Sequence, residues 1–232
     1  MARLLARLLG RVLLLAAGAL VVYQFWLFGH VVYWMWFNPT TTAFMDARLE
    51  ALRKKNPRAE LQHKWVSYDH ISVNLKRALV AAEDAKFLDH SGFDWEAIQE
   101  AAEKNLRRGK VVAGGSTISQ QLAKNLLLSG QRTPWRKIEE AAITVMIETV
   151  MSKRRILEIY LNVIEWGDDV FGAEAAARHY FYVGADALTA DEAARLAAMV
   201  PKPRFYERVG STPLLEQRAS TIFARMDEVQ VP

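Results

Sequence analysis

Two glutamates of this sequence occupy positions where a carboxylate could transfer protons. In "LKRALVAAEDAKFLDHSG" (75–92), Leu79, Glu83 and Phe87 follow at helical spacing, so one helix over 73–88 would place Glu83 among apolar side chains. Burial disfavours the charged form of a carboxyl group, which raises its pKa and makes the carboxylate a stronger base. The same spacing also allows Glu83 to lie at the edge of a polar face, and periodicity alone favours that second interpretation.

The second glutamate lies in a segment that is apolar on nearly all sides. "PWRKIEEAAITVMIETVM" (134–151) follows Thr133, a capping residue, and begins with proline, which is favoured at the first helical position. Such a pattern is typical of a buried helix, where a glutamate is rarely tolerated without a partner. Arg136 and Lys137 lie one turn before Glu140 and could compensate its charge. A functional carboxylate and a purely structural ion pair both remain open.

A glycine-rich stretch, "GGSTISQQLAKN" (114–125), leads into another predicted helix. Thr117 and Gln120 have the spacing of a capping box, which satisfies free N–H groups at a helix start. Helix N-termini attract anions through free N–H groups and the helix dipole. Lys124 lies further along this helix, and more cations follow it. The sequence therefore predicts a seat for phosphate or pyrophosphate, with these cations: Lys124, Arg132, Arg136 and Lys137.

Several kinds of site are excluded by composition and motif. The chain has no cysteine, which rules out disulfides and thiolate metal sites. GxxxxGK[ST], HExxH, GxSxG and SxxK are missing, so we expect no nucleotide P-loop and no dedicated metal site. Three of the 30 basic residues lie before residue 38, which leaves 27 against 26 acidic residues in the body of the chain. That balance argues against a nucleic-acid binder.

The elements that position these residues begin with an apolar N-terminal stretch. Residues 12–37 carry no formal charge over 26 positions, enough for a tilted helix to cross about 30 Å of hydrocarbon. Arg3, Arg7 and Arg11 precede it, so residues 1–11 are expected in the cytoplasm and the rest beyond the membrane. A cleaved signal peptide is the alternative, but the apolar run is longer than such a signal needs.

Helical periodicity dominates the remaining sequence. We expect a juxtamembrane spacer over 38–62 and one mostly α domain over 63–232, without a run of alternating strand pattern. Glycine and proline separate the predicted helices. The candidate helices are 73–88, 94–107, 117–128, 134–151, 153–162, 170–181 and 190–199.

Five segments, in this order, resemble motifs of the peptidoglycan glycosyltransferases of family 51, which polymerise lipid II. The resemblance covers roughly residues 65–205 and implies a mainly α, lysozyme-like, two-lobed domain behind one N-terminal transmembrane helix. The SxxK and KTG signatures of a transpeptidase are missing, which implies a monofunctional enzyme. The segments are "EDAKFLDHSG" (83–92), "GGSTISQQLAKN" (114–125), "RKIEEAA" (136–142), "KRRILEIYLN" (153–162) and "GAEAAARHYF" (172–181).

The resemblance also implies roles for individual residues. Glu83 would deprotonate the 4-hydroxyl of the acceptor sugar, and Glu140 would position cations or assist the leaving group. Lys124 and Arg132 would bind the pyrophosphate, with Arg136 and Lys137 nearby. The further substrate-binding residues implied by the resemblance are Asp84, Phe87, His90, Ser116, Thr117, Gln120 and Gln121.

The activity implied is an inverting single displacement that forms β-1,4-linked glycan and releases the lipid pyrophosphate. The resemblance implies no definite cofactor for this activity, although a divalent cation (Mg²⁺ or Mn²⁺) could accompany the pyrophosphate. The implied partners are lipid II as donor and acceptor, the growing glycan strand, the membrane and other cell-wall synthases, with no nucleic acid. The implied location is the bacterial inner membrane, with the catalytic domain on the periplasmic side. The alternatives are a lysozyme-like glycan-cleaving enzyme and an inactive membrane scaffold for cell-wall synthesis.

Overall fold

The computed structural model describes residues 2–110, 114–128 and 133–232, and it divides into two compact units, Met1–Asn38 and Pro39–Pro232. The first unit contains helix α1 (Ala2–Tyr33). Within it, Arg3–Tyr33 is long and apolar enough to cross a membrane, with a mean hydropathy of 2.0. The helix begins before the expected range of 12–37 because alanine, leucine and arginine all favour helix.

Helices make up most of the second unit, so the predicted mainly α class is confirmed. Two short 3₁₀ turns, Tyr68–His70 and Met226–Glu228, accompany them. The helices are α2 (Ala43–Arg53), α3 (Val73–Glu83), α4 (Trp95–Arg108), α5 (Ile118–Leu127), α6 (Pro134–Val150), α7 (Lys153–Val163), α8 (Ala173–Phe181), α9 (Ala190–Met199), α10 (Pro203–Val209) and α11 (Pro213–Arg225).

One small sheet accompanies the helices in the described part of the second unit, and no run of alternating pattern in the sequence predicts it. Strands β1 (Gln62–His63) and β2 (Val170–Phe171) pair in parallel, with Gln62 opposite Val170. Because β2 takes up the start of the predicted helix 170–181, α8 begins only at Ala173. Strands of two residues are too short to show an alternating pattern.

Helix α3 is also shorter than the predicted range of 73–88. It ends at Glu83, and Asp84 has φ −165° and ψ 72°, outside the helical region. Turns and bends follow up to Gly92, whose φ is +92°. The Asp84 side chain accepts hydrogen bonds from the backbone of α5 and from His90, so tertiary contacts override the local helical pattern.

Two groups of packed helices form the core. Helices α3, α9 and α11 pack on one another, and α5 packs against α6 and α7. Leu79 of α3, Ile118 of α5 and Ile147 of α6 are fully buried. This packing fixes the positions of α3, which ends at Glu83, and of α5, which carries Lys124.

Candidate active site

Glu83 is the last residue of α3, and its side chain is only 12% exposed. Its Oε2 accepts a hydrogen bond of 2.8 Å from Gln121 Nε2. Its Oε1 is buried without a hydrogen-bond partner among the described residues, with Arg218 Nη2 at 3.8 Å. Burial raises the pKa of Glu83, while the Gln121 bond and the charges of Arg218 and Lys124 oppose that rise. A dehydrated carboxylate with an unused oxygen is suited to accept a proton.

Gln121 is oriented by Tyr160 of α7. The Tyr160 hydroxyl donates a hydrogen bond of 2.9 Å to Gln121 Oε1. Burial holds the pKa of Tyr160 well above its usual value, so the phenol keeps its proton and acts as the donor. Since a carboxylate only accepts, the Gln121 amide must turn its nitrogen towards Glu83. The three side chains therefore fix the position of the Glu83 carboxylate.

Asp84 and His90 connect the end of α3 to the start of α5. Asp84 Oδ1 accepts from His90 Nε2 at 2.9 Å, and Oδ2 accepts from the backbone N–H of Ile118 at 3.0 Å. His90 Nδ1 in turn accepts from the Gly92 N–H at 3.2 Å, which places the ring proton on Nε2. Thr117 Oγ1 donates to the Gly92 carbonyl at 2.7 Å. Both oxygens of Asp84 are thus engaged within the protein.

This geometry bears on several of the predicted substrate-binding residues. Phe87, Thr117 and Gln120 are buried, and the predicted capping box of Thr117 and Gln120 is present. These three residues and Asp84 contact other protein groups, so they stabilise the elements that carry the site. Ser116 is exposed at the start of α5, whereas Arg132 lies outside the described residues.

Gly115 has a packing reason that does not involve an anion. A Cβ atom there would lie 2.8 Å from Ile98 Cα and 3.0 Å from the Ala97 carbonyl oxygen. Only glycine therefore lets the backbone before α5 pass this close to α4. A Cβ on Gly114 would meet nothing within 4 Å. The glycine pair thus reflects close packing at one of its two positions.

Glu140 of α6 is buried, 4% exposed, beside the cations expected from the spacing. Lys137 Nζ donates to its Oε1, and Arg136 Nη1 lies 3.5 Å from its Oε2. The predicted pairing is therefore confirmed, as is the cap of α6 by Thr133. Glu140 keeps two cations at the start of α6 and leaves no buried charge unpaired.

Lys124 of α5 is half-buried, and its charge interacts with the carboxylates of Glu83 and Glu140. Burial lowers its pKa, and Arg136 adds to that shift, whereas the charges of Glu140 and Glu83 oppose it. Its ammonium group makes no hydrogen bond or ion pair with any residue that the structure describes. Lys124 and Gln121 line a cleft of about 590 Å³. A partly dehydrated cation facing a cleft can stabilise a bound anion.

Sequence reasoning missed Arg218, which lies on α11 and approaches Glu83. Nothing in the spacing of the motifs points to it, because the contact arises only when α11 packs on α3 and α9. Tyr160 stands inside the fourth motif, but its hydrogen bond to Gln121 depends on how α5 and α7 pack. Long-range packing, not local pattern, brings these two side chains to the site.

Residues 2–110, 114–128 and 133–232 contain no group of three or more His, Cys, Asp or Glu side chains that could hold a metal ion. The chemistry that the described side chains offer is proton acceptance at Glu83 and anion stabilisation at Lys124. That combination suits a reaction in which a hydroxyl group attacks and an anionic group departs.

Comparison with known sequences identifies the family. The sequence model of the family described as Transglycosylase matches residues 50–227. The chain belongs to the transglycosylase family. A mainly α domain fits the lysozyme-like fold expected for a transglycosylase.

Relatives from several bacteria match this transglycosylase along nearly their whole length. A protein of Nitrosospira multiformis is 60% identical over 222 residues, which is 96% of both chains. One from Laribacter hongkongensis is 63% identical over 212 residues, covering 91% of this chain and 93% of the relative. One from Chromobacterium violaceum is 57% identical over 228 residues, covering 98% and 100%. All three are named biosynthetic peptidoglycan transglycosylase.

Proposed function

We propose that this chain polymerises lipid II into the β-1,4-linked glycan strands of peptidoglycan. The observation that carries the proposal is a buried oxygen of Glu83 that has no hydrogen-bond partner among the described residues and lies close enough to the half-buried Lys124 for the two charges to shift each other's pKa. Lys124 and Gln121, the hydrogen-bond partner of Glu83, line the cleft of about 590 Å³. The names of the relatives support the same activity. A glycan-cleaving enzyme would need the carboxylate but would have no use for the cation.

The reaction is a single displacement at the anomeric carbon of the donor. Glu83 Oε1 takes the proton of the acceptor's 4-hydroxyl as that oxygen forms the new glycosidic bond. The bond from the anomeric carbon to the lipid pyrophosphate breaks, and its electron pair leaves with the phosphate oxygen. Lys124 stabilises the negative charge that develops there, and Glu83 later releases its proton to water. One displacement inverts the configuration from α to β.

The other predicted residues take supporting roles in this scheme. Glu140 holds Arg136 and Lys137 near the departing phosphate, and Arg132 acts as a further pyrophosphate ligand. Ser116 is exposed just before α5 and contributes its hydroxyl group to substrate binding. Asp84 and His90 keep α3 and α5 in register, which holds Glu83 beside Gln121 and Lys124, two residues of α5 that line the cleft.

No cofactor is needed for this reaction, because the donor's bond to pyrophosphate already supplies the energy. A divalent cation, Mg²⁺ or Mn²⁺, would be carried by the pyrophosphate itself, since the described side chains offer no ligand set of their own. Every step assigned above to Glu83 and Lys124 uses only this chain's own residues.

Helix α1 anchors the enzyme in the membrane that holds its lipid-linked substrates. The apolar length of Arg3–Tyr33 supports a single crossing. Arg3, Arg7 and Arg11 favour a cytoplasmic N-terminus, which places the second unit on the periplasmic side of the bacterial inner membrane. Confining enzyme and substrate to one surface raises the rate at which they meet.

The proposal is tested by supplying the purified full chain, in detergent, with two different substrates. Incubation with lipid II should give glycan strands that lengthen with time, detected by gel electrophoresis of labelled product. Incubation with preformed glycan should leave the strand length unchanged. Shortening of the glycan without growth from lipid II would instead assign the chain to the glycan-cleaving enzymes.

A further inference from the structure

The cleft beside Lys124 has a second basic wall that the reaction does not use. Lys202, Arg204 and Arg208 line the same volume of about 590 Å³ as Gln121 and Lys124. They belong to α10 and to the residue before it. Residues 204 and 208 are one helical turn apart and so lie on one face of α10.

The backbone that carries these cations is held firmly. Lys202 stands between Pro201 and Pro203, and each proline ring fixes one backbone dihedral. Tyr206 is buried, 5% exposed, beneath α10. The Glu207 carboxylate accepts a hydrogen bond of 2.7 Å from the backbone N–H of Asp168. The backbone of this basic wall is therefore ordered before any ligand arrives, which reduces the entropy lost on binding.

Two of the three cations lack a carboxylate partner. Arg204 lies 3.7 Å from Glu165, which also pairs with Arg48 at 2.6 Å. Lys202 and Arg208 make no ion pair within 4 Å in the part of the chain that the structure describes. With Lys124, three uncompensated positive charges border one cleft. Such a concentration of charge of one sign favours an anionic ligand.

The character of the cleft narrows the class of ligand. Pyrophosphate at Lys124 would fill only part of the volume. Beyond it the walls also carry the apolar side chains of Phe44, Ile164, Val200 and Phe205. A phosphate offers charge alone and the lipid of the donor offers apolar groups alone, whereas a peptide with carboxylate groups uses both kinds of surface.

We propose that Lys202 and Arg208 form a subsite for a carboxylate of the peptide carried by the donor's muramyl sugar. This inference rests on the proposed function, because it takes lipid II as the substrate. It adds a specificity-determining contact at a distance from the reacting atoms. Recognition of the peptide here would hold the donor sugar while its pyrophosphate lies at Lys124.

The test measures binding by the full chain carrying Glu83→Gln, so that substrate is not consumed. Fluorescent lipid II with free peptide carboxylates is compared with lipid II whose peptide carboxylates are amidated. Adding K202Q and R208Q should weaken the affinity for the free-carboxylate substrate about three- to tenfold, as expected for two solvent-exposed charge contacts. The affinity for the amidated substrate should stay unchanged.

A matched pair of substitutions, K55Q and R58Q, removes the same charge from exposed positions outside this cleft and should change neither affinity. If adding K202Q and R208Q leaves the affinity of the Glu83→Gln chain for free-carboxylate lipid II unchanged, the proposed subsite is overturned. Equal weakening for both substrates would also overturn it, because the contact would then be to phosphate. Failure of the unsubstituted chain to polymerise lipid II would contradict the proposed function while leaving these affinities to be compared.

Discussion

At the scale of single residues, the site depends on how a buried carboxylate stays usable as a base. Burial raises the pKa of Glu83, and the Gln121 hydrogen bond and the Arg218 charge act in the opposite direction. Because the effect of burial is the largest of these, Glu83 takes up a proton at higher pH than an exposed glutamate does. As the pH is lowered, the polymerisation rate should therefore begin to fall at a higher pH than it would if the base were an exposed glutamate.

Removing the positive charge of Arg218 should change the pH below which the polymerisation rate falls. In Arg218→Gln, the pKa of Glu83 rises further, so the acidic limb of the kcat/KM profile shifts to higher pH. The measurement is polymerisation rate against pH. Arg77→Gln is the matched control, since Arg77 is equally exposed, 38% against 39%, and lies on α3 paired with Asp227. Identical acidic limbs in the Arg218→Gln and unsubstituted chains would contradict the coupling.

The sequence predicts some of these residues for physical reasons that the structure bears out. Glu140 with Arg136 and Lys137 follows from spacing on one helix, which is a local property. The structure buries most of Glu83, which is the interpretation that periodicity alone did not favour. Phe87 reaches its buried place from a turn and not from the helix face that was expected. The sequence could not predict the contact between Arg218 and Glu83, because it forms only when α11 packs on α3.

At the scale of elements, the join between α3 and α5 carries the site. Asp84 is buried, 7% exposed, and it receives hydrogen bonds from His90 and from the Ile118 backbone. These contacts end α3 at Glu83 and fix the start of α5. The distance between Glu83 and Lys124 of α5 therefore depends on a residue that need not touch substrate.

Asp84→Ala should destabilise the chain because it leaves a buried backbone N–H and the His90 ring without their acceptor. We expect the free energy of unfolding to fall by about 2–4 kcal/mol. Chemical unfolding of the purified chain in detergent measures this change. Asp89→Ala, an exposed position in the same turn segment, should alter it by no more than about 0.5 kcal/mol. Equal stability of the two variants would show that the Asp84 contacts do not hold the join.

Local signals predict helix starts better than helix ends. Thr117 with Gln120, and Thr133 with Pro134, mark the starts of α5 and α6 as expected. The pair Thr212–Pro213 gives the same signal for α11, although the sequence reasoning did not use it. The end of α3 depends instead on a contact with α5, which no pattern within residues 73–92 contains.

At the scale of the whole molecule, the chain combines an apolar helix with a compact helical unit. The apolar helix is visible in the sequence because its signal is compositional and needs no tertiary contact. The nearly balanced charge of the remaining residues agrees with a substrate-specific cleft and not with a broad basic surface.

The anchoring role of α1 predicts how the chain fractionates. The full chain should remain in the membrane pellet after extraction with alkaline carbonate, because about 20 or more apolar residues insert in effect irreversibly. Intact mass of the purified protein should include the N-terminal residues, since we expect no signal cleavage. Release by carbonate, or a mass that lacks the N-terminal segment, would contradict a membrane anchor.

The most direct test of the account is the rate at which the Glu83→Gln chain polymerises lipid II. A folded Glu83 with a raised pKa stabilises the protein only at low pH, and that contribution is lost as pH rises through the folded pKa. The substitution should therefore leave the unfolding temperature at pH 7 unchanged or raised. Polymerisation should fall by about 10²- to 10⁴-fold, the range for loss of a general base. A folded Glu83→Gln chain that makes glycan at nearly the unsubstituted rate would contradict the central role of this carboxylate.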